Sequence, residues 1–354
     1  MVPIDIISSA DPTKSIYSTV LKEKTTTVTL EGVKPSDWVK LNPGTVGVYR
    51  VRYTSEMLDS MIPSVKDLTL PARDRLGLQN DLFALARAGL CSTVDVLKVA
   101  EAYRSETDYT VWCDLTANLS AIAVVLQYTD CFDLFRAFKV NLFSDVGKRL
   151  GWEKLDNESP LDSMLRTLVL AQLGSSGHPE TVSEATSRFD QHLAATKTLD
   201  ADLRSALYRT SELSEEKVRI LRVLGQTPNS EKLKSALQFS ISEEVRSQDA
   251  VFCIAGATSS AQGRQLSWEF LQSNWTKLSS MYEGGFLLAR LVKICTENFA
   301  DRNKISEIKE FFEKNPAPAA NRVIQQSCEN IELNAALLER DGDAVKAYLS
   351  ELTK

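Results

Sequence analysis

The sequence predicts a mainly α protein: a HEAT/armadillo-like helical-repeat solenoid over residues 54–354, preceded by a small β-sandwich segment over residues 1–53. Three observations carry that expectation. From about Ser55 to the C-terminus, apolar residues recur every three or four positions, the spacing of helices with one buried face. Brief breaks containing glycine or proline separate these periodic stretches. Ahead of them, residues 2–53 are β-branched, alternating and punctuated by turn residues.

Within the N-terminal segment, Thr25-Thr26-Thr27-Val28-Thr29-Leu30 is a β-branched run followed by Gly32 and Pro35. Trp38-Val39-Lys40-Leu41 then meets the turn-forming Asn42-Pro43-Gly44. Val48-Tyr49-Arg50-Val51-Arg52-Tyr53 alternates beyond it, with Tyr49, Val51 and Tyr53 on one face. The expectation is a hairpin in a small sheet. Fifty residues of strand with no helical cover rarely make a stable unit, so the sandwich is expected to be incomplete or to pack on the helices that follow.

The helical stretches can be followed residue by residue. Leu78, Leu82, Leu85 and Ala86 form one stripe, and Trp112, Leu115, Leu119, Ile122 and Leu126 form a second. Leu288, Val292, Cys295 and Phe299 repeat the spacing, as do Ile324, Cys328, Ile331, Ala335 and Leu338. Breaks fall at Gly89, Gly151, Gly174 to Pro179, Thr227-Pro228, Gly284-Gly285 and Pro316 to Pro318. Ser92-Thr93-Val94-Asp95 and Ser242-Glu243-Glu244 read as helix starts, where a hydroxyl caps free amides and acids meet the positive end of the helix dipole. Gly256 to Gly263 reads as a flexible connection. No strict tetratricopeptide or ankyrin period is present, which leaves degenerate helical hairpins whose concave face is a natural binding surface.

Composition narrows the function classes. Of 354 residues, 43% are hydrophobic and 25% charged, the balance of a globular protein. The net charge of −6 argues against nucleic acid as a partner, because phosphate binding needs a basic face. No apolar run is expected to span a membrane, and the N-terminus lacks the basic region and apolar core of a secretory signal. Cys91, Cys113, Cys131, Cys253, Cys295 and Cys328 are widely spaced without a CxxC pair, so reduced core thiols and a cytoplasmic setting are expected.

Hydrolytic chemistry finds no footing in the sequence. The two histidines, His178 and His192, are fourteen positions apart, whereas HExxH zinc sites need two histidines one helical turn apart with a glutamate base. No G-x-S-x-G elbow occurs, and the glycines near Gly256 lack the lysine of a phosphate loop. Neither catalytic nor metal-ligating residues are therefore expected. Trp112, Trp152, Trp268 and Trp275 read as core.

Three stretches carry a resemblance. Trp38-Val39-Lys40-Leu41-Asn42 with Gly47-Val48-Tyr49-Arg50-Val51 and Tyr53 resembles the exit of the β-sandwich domain in the gluzincin aminopeptidases. Arg75 to Phe83, then Ala86-Arg87-Ala88-Gly89, is similar to the first long helix of their C-terminal domain. Ser242 to Asp249 resembles a helix-turn of that domain, supported by Trp268-Glu269-Phe270, Asn274-Trp275, Gly284-Gly285-Phe286, Phe311-Phe312 and Gln325-Gln326 to Asn330. The order holds along nearly the whole chain, although the region from Tyr208 to Glu216 is shorter than the family pattern.

The resemblance implies a non-catalytic C-terminal domain that encloses the peptide-substrate cavity of a zinc aminopeptidase and helps to set substrate length preference. The family's G-A-M-E-N and HExxH motifs, and with them the zinc, are expected in a catalytic domain of the same protein ahead of Val2. No cofactor is expected in this chain. Its implied partners are that catalytic domain and the peptide substrate. By the same resemblance Arg246 and Gln248 line the cavity, where a cation or amide would contact a peptide's C-terminal carboxylate; Arg290 and Gln325 are further candidates. A stand-alone helical scaffold binding a protein or peptide partner is the alternative.

Overall fold

The computed structural model describes residues 1–34, 36–194, 214–283 and 286–353. At the N-terminus, β1 (Val2–Ser8) lies between β2 (Tyr17–Leu21) and β3 (Val39–Leu41), antiparallel to both. Val2 pairs with Leu21 and Ile6 with Tyr17 on one side, while Ile6 pairs with Leu41 on the other. Ile6 and Ile7 are both buried, so β1 is covered on both faces at that end.

Two expected strands do not form. Thr25 to Leu30 is irregular, because strand propensity expresses itself only where a partner ladder exists. Val48 to Tyr53 is a loop. The Asn42 side chain exchanges two hydrogen bonds with the backbone of Gly47, at 2.7 and 2.9 Å, bending this stretch away from β3. The Val51 amide then donates to the Asp81 carboxylate at 3.0 Å, and Arg50 donates to Asn80 and Asp81. The alternation was real in one respect, since Val51 and Tyr53 are buried and Val48 is fully exposed.

Seven helices follow: α1 (Ser55–Lys66), α2 (Ala72–Arg87), α3 (Thr93–Glu101), α4 (Tyr109–Leu126), α5 (Phe132–Leu150), α6 (Pro160–Ser175) and α7 (Pro179–Ala194). Thr54, Ser92 and Ser159 cap α1, α3 and α6 by accepting from amides of the first turn. The first compact unit comprises Met1–Ile122, Asp133–Thr186 and Arg340–Lys354. Buried ion pairs organise it. Lys40 meets Asp74 at 2.8 Å, and the same carboxylate accepts from the Gly44 amide, joining β3 and its turn to α2. Arg75 grips Glu106 through Nε and Nη2 at 2.6 and 2.8 Å, while Nη1 donates to the Leu70 carbonyl. Trp112 donates to the Glu106 carbonyl and packs 4.9 Å from Phe143.

α4 corrects one expectation: by length and composition it is apolar enough to cross a membrane. Its Trp112, Leu115, Leu119, Ile122 and Leu126 are all buried within the protein, so its apolarity is accounted for by the core.

Arg166 of α6 binds Glu158 with two nitrogens and donates to the Leu150 carbonyl at 3.0 and 3.1 Å. The Arg166 hydrogen bonds outweigh burial and draw the Glu158 carboxyl down to about 2 from its usual 4.5. A carboxylate depressed on folding stabilises the fold fully above its unfolded value and loses that contribution as pH falls towards the folded one. The stability difference between the native protein and Glu158→Gln is therefore expected to shrink between pH 4.5 and about 2. Denaturant titrations across that window would show it, and a constant difference would remove the assignment.

The second unit comprises Ala123–Phe132 and Ser187–Glu339. Its helices include α8 (Ser214–Gly225), α9 (Ser230–Ser240), α10 (Ser247–Ala257), α11 (Ala261–Ser273), α12 (Trp275–Met281), α13 (Phe286–Thr296), α14 (Asn303–Lys314) and the start of α15 (Asn321–Leu352). α10 packs against α8, α9, α11 and α13, and α11 against α9, α12 and α13. The α8–α10 crossing is unusually close. A Cβ on Gly256 would lie 2.2 Å from the Arg222 carbonyl oxygen, and one on Gly225 would lie 2.1 Å from that of Cys253. Gly256 to Gly263, expected to be a flexible connection, is mostly helix. Only Thr258 to Ser260 link α10 to α11, and Ser260 caps α11 by accepting from the Gly263 amide.

Arg264 is 1% exposed without a carboxylate among its contacts. It donates instead to the carbonyls of Val124, Thr258 and Asn298 at 3.1–3.2 Å, to the Tyr128 hydroxyl at 2.9 Å and to Gln127. Val124 lies in the last turn of α4, Thr258 follows α10 and Asn298 lies just past α13, so three helix C-termini present partial negative charge to one guanidinium. A further cluster gathers Trp268, Trp275, Phe311 and Phe312, with Trp268 donating to Glu307 at 2.5 Å.

Candidate functional site

α10 begins one turn later than the sequence suggested. Ser242, Glu243 and Glu244 form a turn rather than a helix start, and Arg246 occupies the N-cap position in extended conformation. The reason is local: the buried Asp249 carboxylate accepts from Arg246 Nε at 2.6 Å, closing the first turn around Arg246. Arg246 also donates to the Ser214 hydroxyl at 3.1 Å, and its side chain remains 47% exposed. Gln248 is exposed on the same first turn.

The neighbouring helix supplies the second arginine. Arg290 is exposed on α13, with its guanidinium 5.3 Å above the Phe252 ring of α10. Tyr282, four residues before α13, donates its hydroxyl to the Ser247 carbonyl at 2.5 Å. Burial pushes that phenol up to about 12, so it remains a donor at neutral pH. Tyr282 thus ties the chain entering α13 to the first turn of α10. Arg246, Gln248 and Arg290 accordingly lie on two packed helices, and Phe286, 95% exposed, opens the second of them. Sequence reasoning missed Tyr282 and Phe286; a tyrosine shortly before Gly284-Gly285-Phe286 was the available signal. Gly284 and Gly285 lie outside the described residues.

Gln325 belongs to a different surface. It lines a groove of about 870 Å³ between α14 and α15, and its amide donates to Glu329 at 3.1 Å. His178 shares a hydrogen bond with Thr181 at 2.9 Å in the first turn of α7; the side chain of His192 lies outside the described residues. Among the described residues no three His, Cys, Asp or Glu side chains are grouped to hold a metal ion. The stretch from Tyr208 to Glu216, expected to be shortened, lies outside the described residues as far as position 213.

Comparison with known proteins places these observations in a family. The ERAP1-like C-terminal domain model matches residues 38–212 and 206–333. Aminopeptidase M1 of Arabidopsis thaliana is 33% identical over 85% of this chain and 37% of its own length. A puromycin-sensitive aminopeptidase of Caenorhabditis elegans is 28% identical over 99% of the chain and 40% of its own length. Endoplasmic reticulum aminopeptidase 2 of Bos taurus is 27% identical over 98% and 39%. The chain thus spans about two fifths of the length of these relatives. With the motif resemblance, the helical architecture and the family match in agreement, the chain belongs to the ERAP1-like C-terminal domain family.

Proposed function

We propose that this chain is the non-catalytic, substrate-enclosing part of a zinc aminopeptidase, and that the N-terminal halves of α10 and α13 receive the C-terminal carboxylate of the peptide. The observation that carries the reading is the placement of two exposed arginines on packed helices, one at a helix N-terminus where backbone amides favour an anion. Arg246 is held by Asp249 and Ser214, which orients its guanidinium without burying it. Gln248 adds an amide donor beside it. Gln325 lines the separate groove between α14 and α15 and already donates to Glu329, so it stands outside this set.

Packing between helices two steps apart along the chain, α8 on α10, α9 on α11 and α11 on α13, supports a HEAT-like stack, and we read residues 1–53 as the end of a sandwich. Catalysis, zinc and the G-A-M-E-N contact to the peptide amine would then reside in a separate domain of the longer protein. We place the chain in the cytoplasm on its six unpaired thiols, four of them buried.

The proposal is tested on the chain itself with a nonapeptide carrying a free C-terminal carboxylate and with its C-terminal amide. The free acid is expected to bind roughly tenfold more tightly, the worth of one charge-assisted contact. Arg246→Ala should abolish that preference while leaving the affinity for the amide unchanged. Equal affinities for acid and amide in the native protein would defeat the reading.

A further inference from the structure

The groove between α14 and α15 is not explained by a carboxylate-binding role. Its lining runs from Asn321 to Leu333 along one face of α15, about 18 Å at 1.5 Å per residue, and from Ile305 to Glu313 along α14, about 12 Å. Two ridges of that length enclose a trough suited to a third helix of three turns, because side chains of one helix seat between the ridges of others. The floor is apolar: Ile305, Phe312, Ile324, Cys328 and Leu333, the last 39% exposed. The border carries Glu313, Glu329 and Glu332 against a single cation, Lys309. Arg302 engages Glu332, whereas Glu329 accepts from the neutral amide of Gln325.

We infer that this groove docks an amphipathic helix from a partner protein, with an apolar stripe entering the floor and lysine or arginine on its flanks meeting Glu313 and Glu329. The elongated lining selects a helix over a compact small molecule, and the acidic border selects its charge. The same border disfavours a peptide's terminal carboxylate, so this surface is separate from the one proposed on α10 and α13.

The probe is a fluorescein-labelled 18-residue helical peptide with leucine at i, i+3, i+4 and i+7 spacing and lysine flanks, set against the same peptide with glutamate flanks. Polarisation with the full chain is expected to show saturable binding of the lysine peptide, at least tenfold tighter than the glutamate peptide and weakened by salt. Glu313→Lys combined with Glu329→Lys should reverse that preference, and these exposed substitutions should leave the melting midpoint unchanged. Leu333→Asp should remove binding of both peptides. Equal affinity for the two peptides, no saturable binding of the lysine peptide, or binding untouched by Leu333→Asp would overturn the inference. Self-association at the same concentrations that Leu333→Asp abolishes would assign the groove to a second copy and would overturn it equally.

Discussion

Arg264→Met is expected to destabilise the protein by about 4 kcal/mol and to lower its melting midpoint by roughly 10 °C. Methionine fills much of the volume and removes a costly buried charge, so the sign depends on what remains behind. The carbonyls of Val124, Thr258 and Asn298 and the Tyr128 hydroxyl would lose a shared donor that is itself 1% exposed, each loss costing about 1–3 kcal/mol, with Asn298 keeping the Tyr128 hydroxyl as its remaining donor. These losses exceed the relief of desolvation, because the guanidinium has no carboxylate among its contacts whose own burial would also be relieved. Arg264→Lys keeps the charge but has three donors from one point in place of a planar fork, and should recover about half of the loss. Scanning calorimetry on the three proteins decides the matter. A methionine variant as stable as the native protein would mean that the carbonyls find other donors.

The second large effect concerns Gly256. Alanine ordinarily improves a helix interior by about 1 kcal/mol over glycine. At Gly256 the new methyl would press into the backbone of α8, 2.2 Å from the Arg222 carbonyl oxygen, and backbone cannot swing aside as a side chain can. Gly256→Ala is therefore expected to cost about 3 kcal/mol by forcing α8 and α10 apart. Gly342 on α15 is the control, since its Cβ would meet nothing within 4 Å and Gly342→Ala should gain about 0.5–1 kcal/mol. Opposite shifts in denaturation midpoint are the expected outcome. If both variants gained stability, the close crossing would be more pliable than its geometry indicates.

Much of the helical part was legible in the sequence because its signal is redundant. Leu78, Leu82, Leu85 and Ala86 are all buried, and so are Trp112, Leu115, Leu119, Ile122 and Leu126. Ser92 caps α3 as read, because a cap depends only on its own turn. Thr25 to Leu30 failed for the opposite reason: strand formation needs a partner that no local pattern specifies. Val48 to Tyr53 failed because Asp81 of α2, thirty residues away, took the Val51 amide that a neighbouring strand would have used. At the candidate site, Arg246 and its Asp249 partner were visible as near neighbours in sequence. The juxtaposition of α10 with α13 was not, since it depends on Tyr282 reaching Ser247 across thirty-five residues. The role of Arg264, just past the stretch expected to be a flexible connection, was hidden because three of its acceptors belong to Val124, Gln127 and Tyr128, well over a hundred residues earlier.

The clasp around Asp341 bears on how the chain acquires its structure. Asp341 accepts from the Thr93 hydroxyl and, at 3.2 Å, from its amide, while Arg340 bonds Asp341 and the Ala86 carbonyl at 2.7 Å. Burial opposes ionisation of Asp341, yet Arg340 and Thr93 together hold its carboxyl below the usual range. The unit that begins at Met1 is thus completed by Arg340–Lys354, from the far end of the chain. During synthesis the ribosome delivers α2 and α3 long before the residues that close over them, and every residue of the second unit emerges in between. Loop closure on this scale slows the final step of folding, and until then the sockets of Thr93 and Ala86 stay open to solvent and to chaperones.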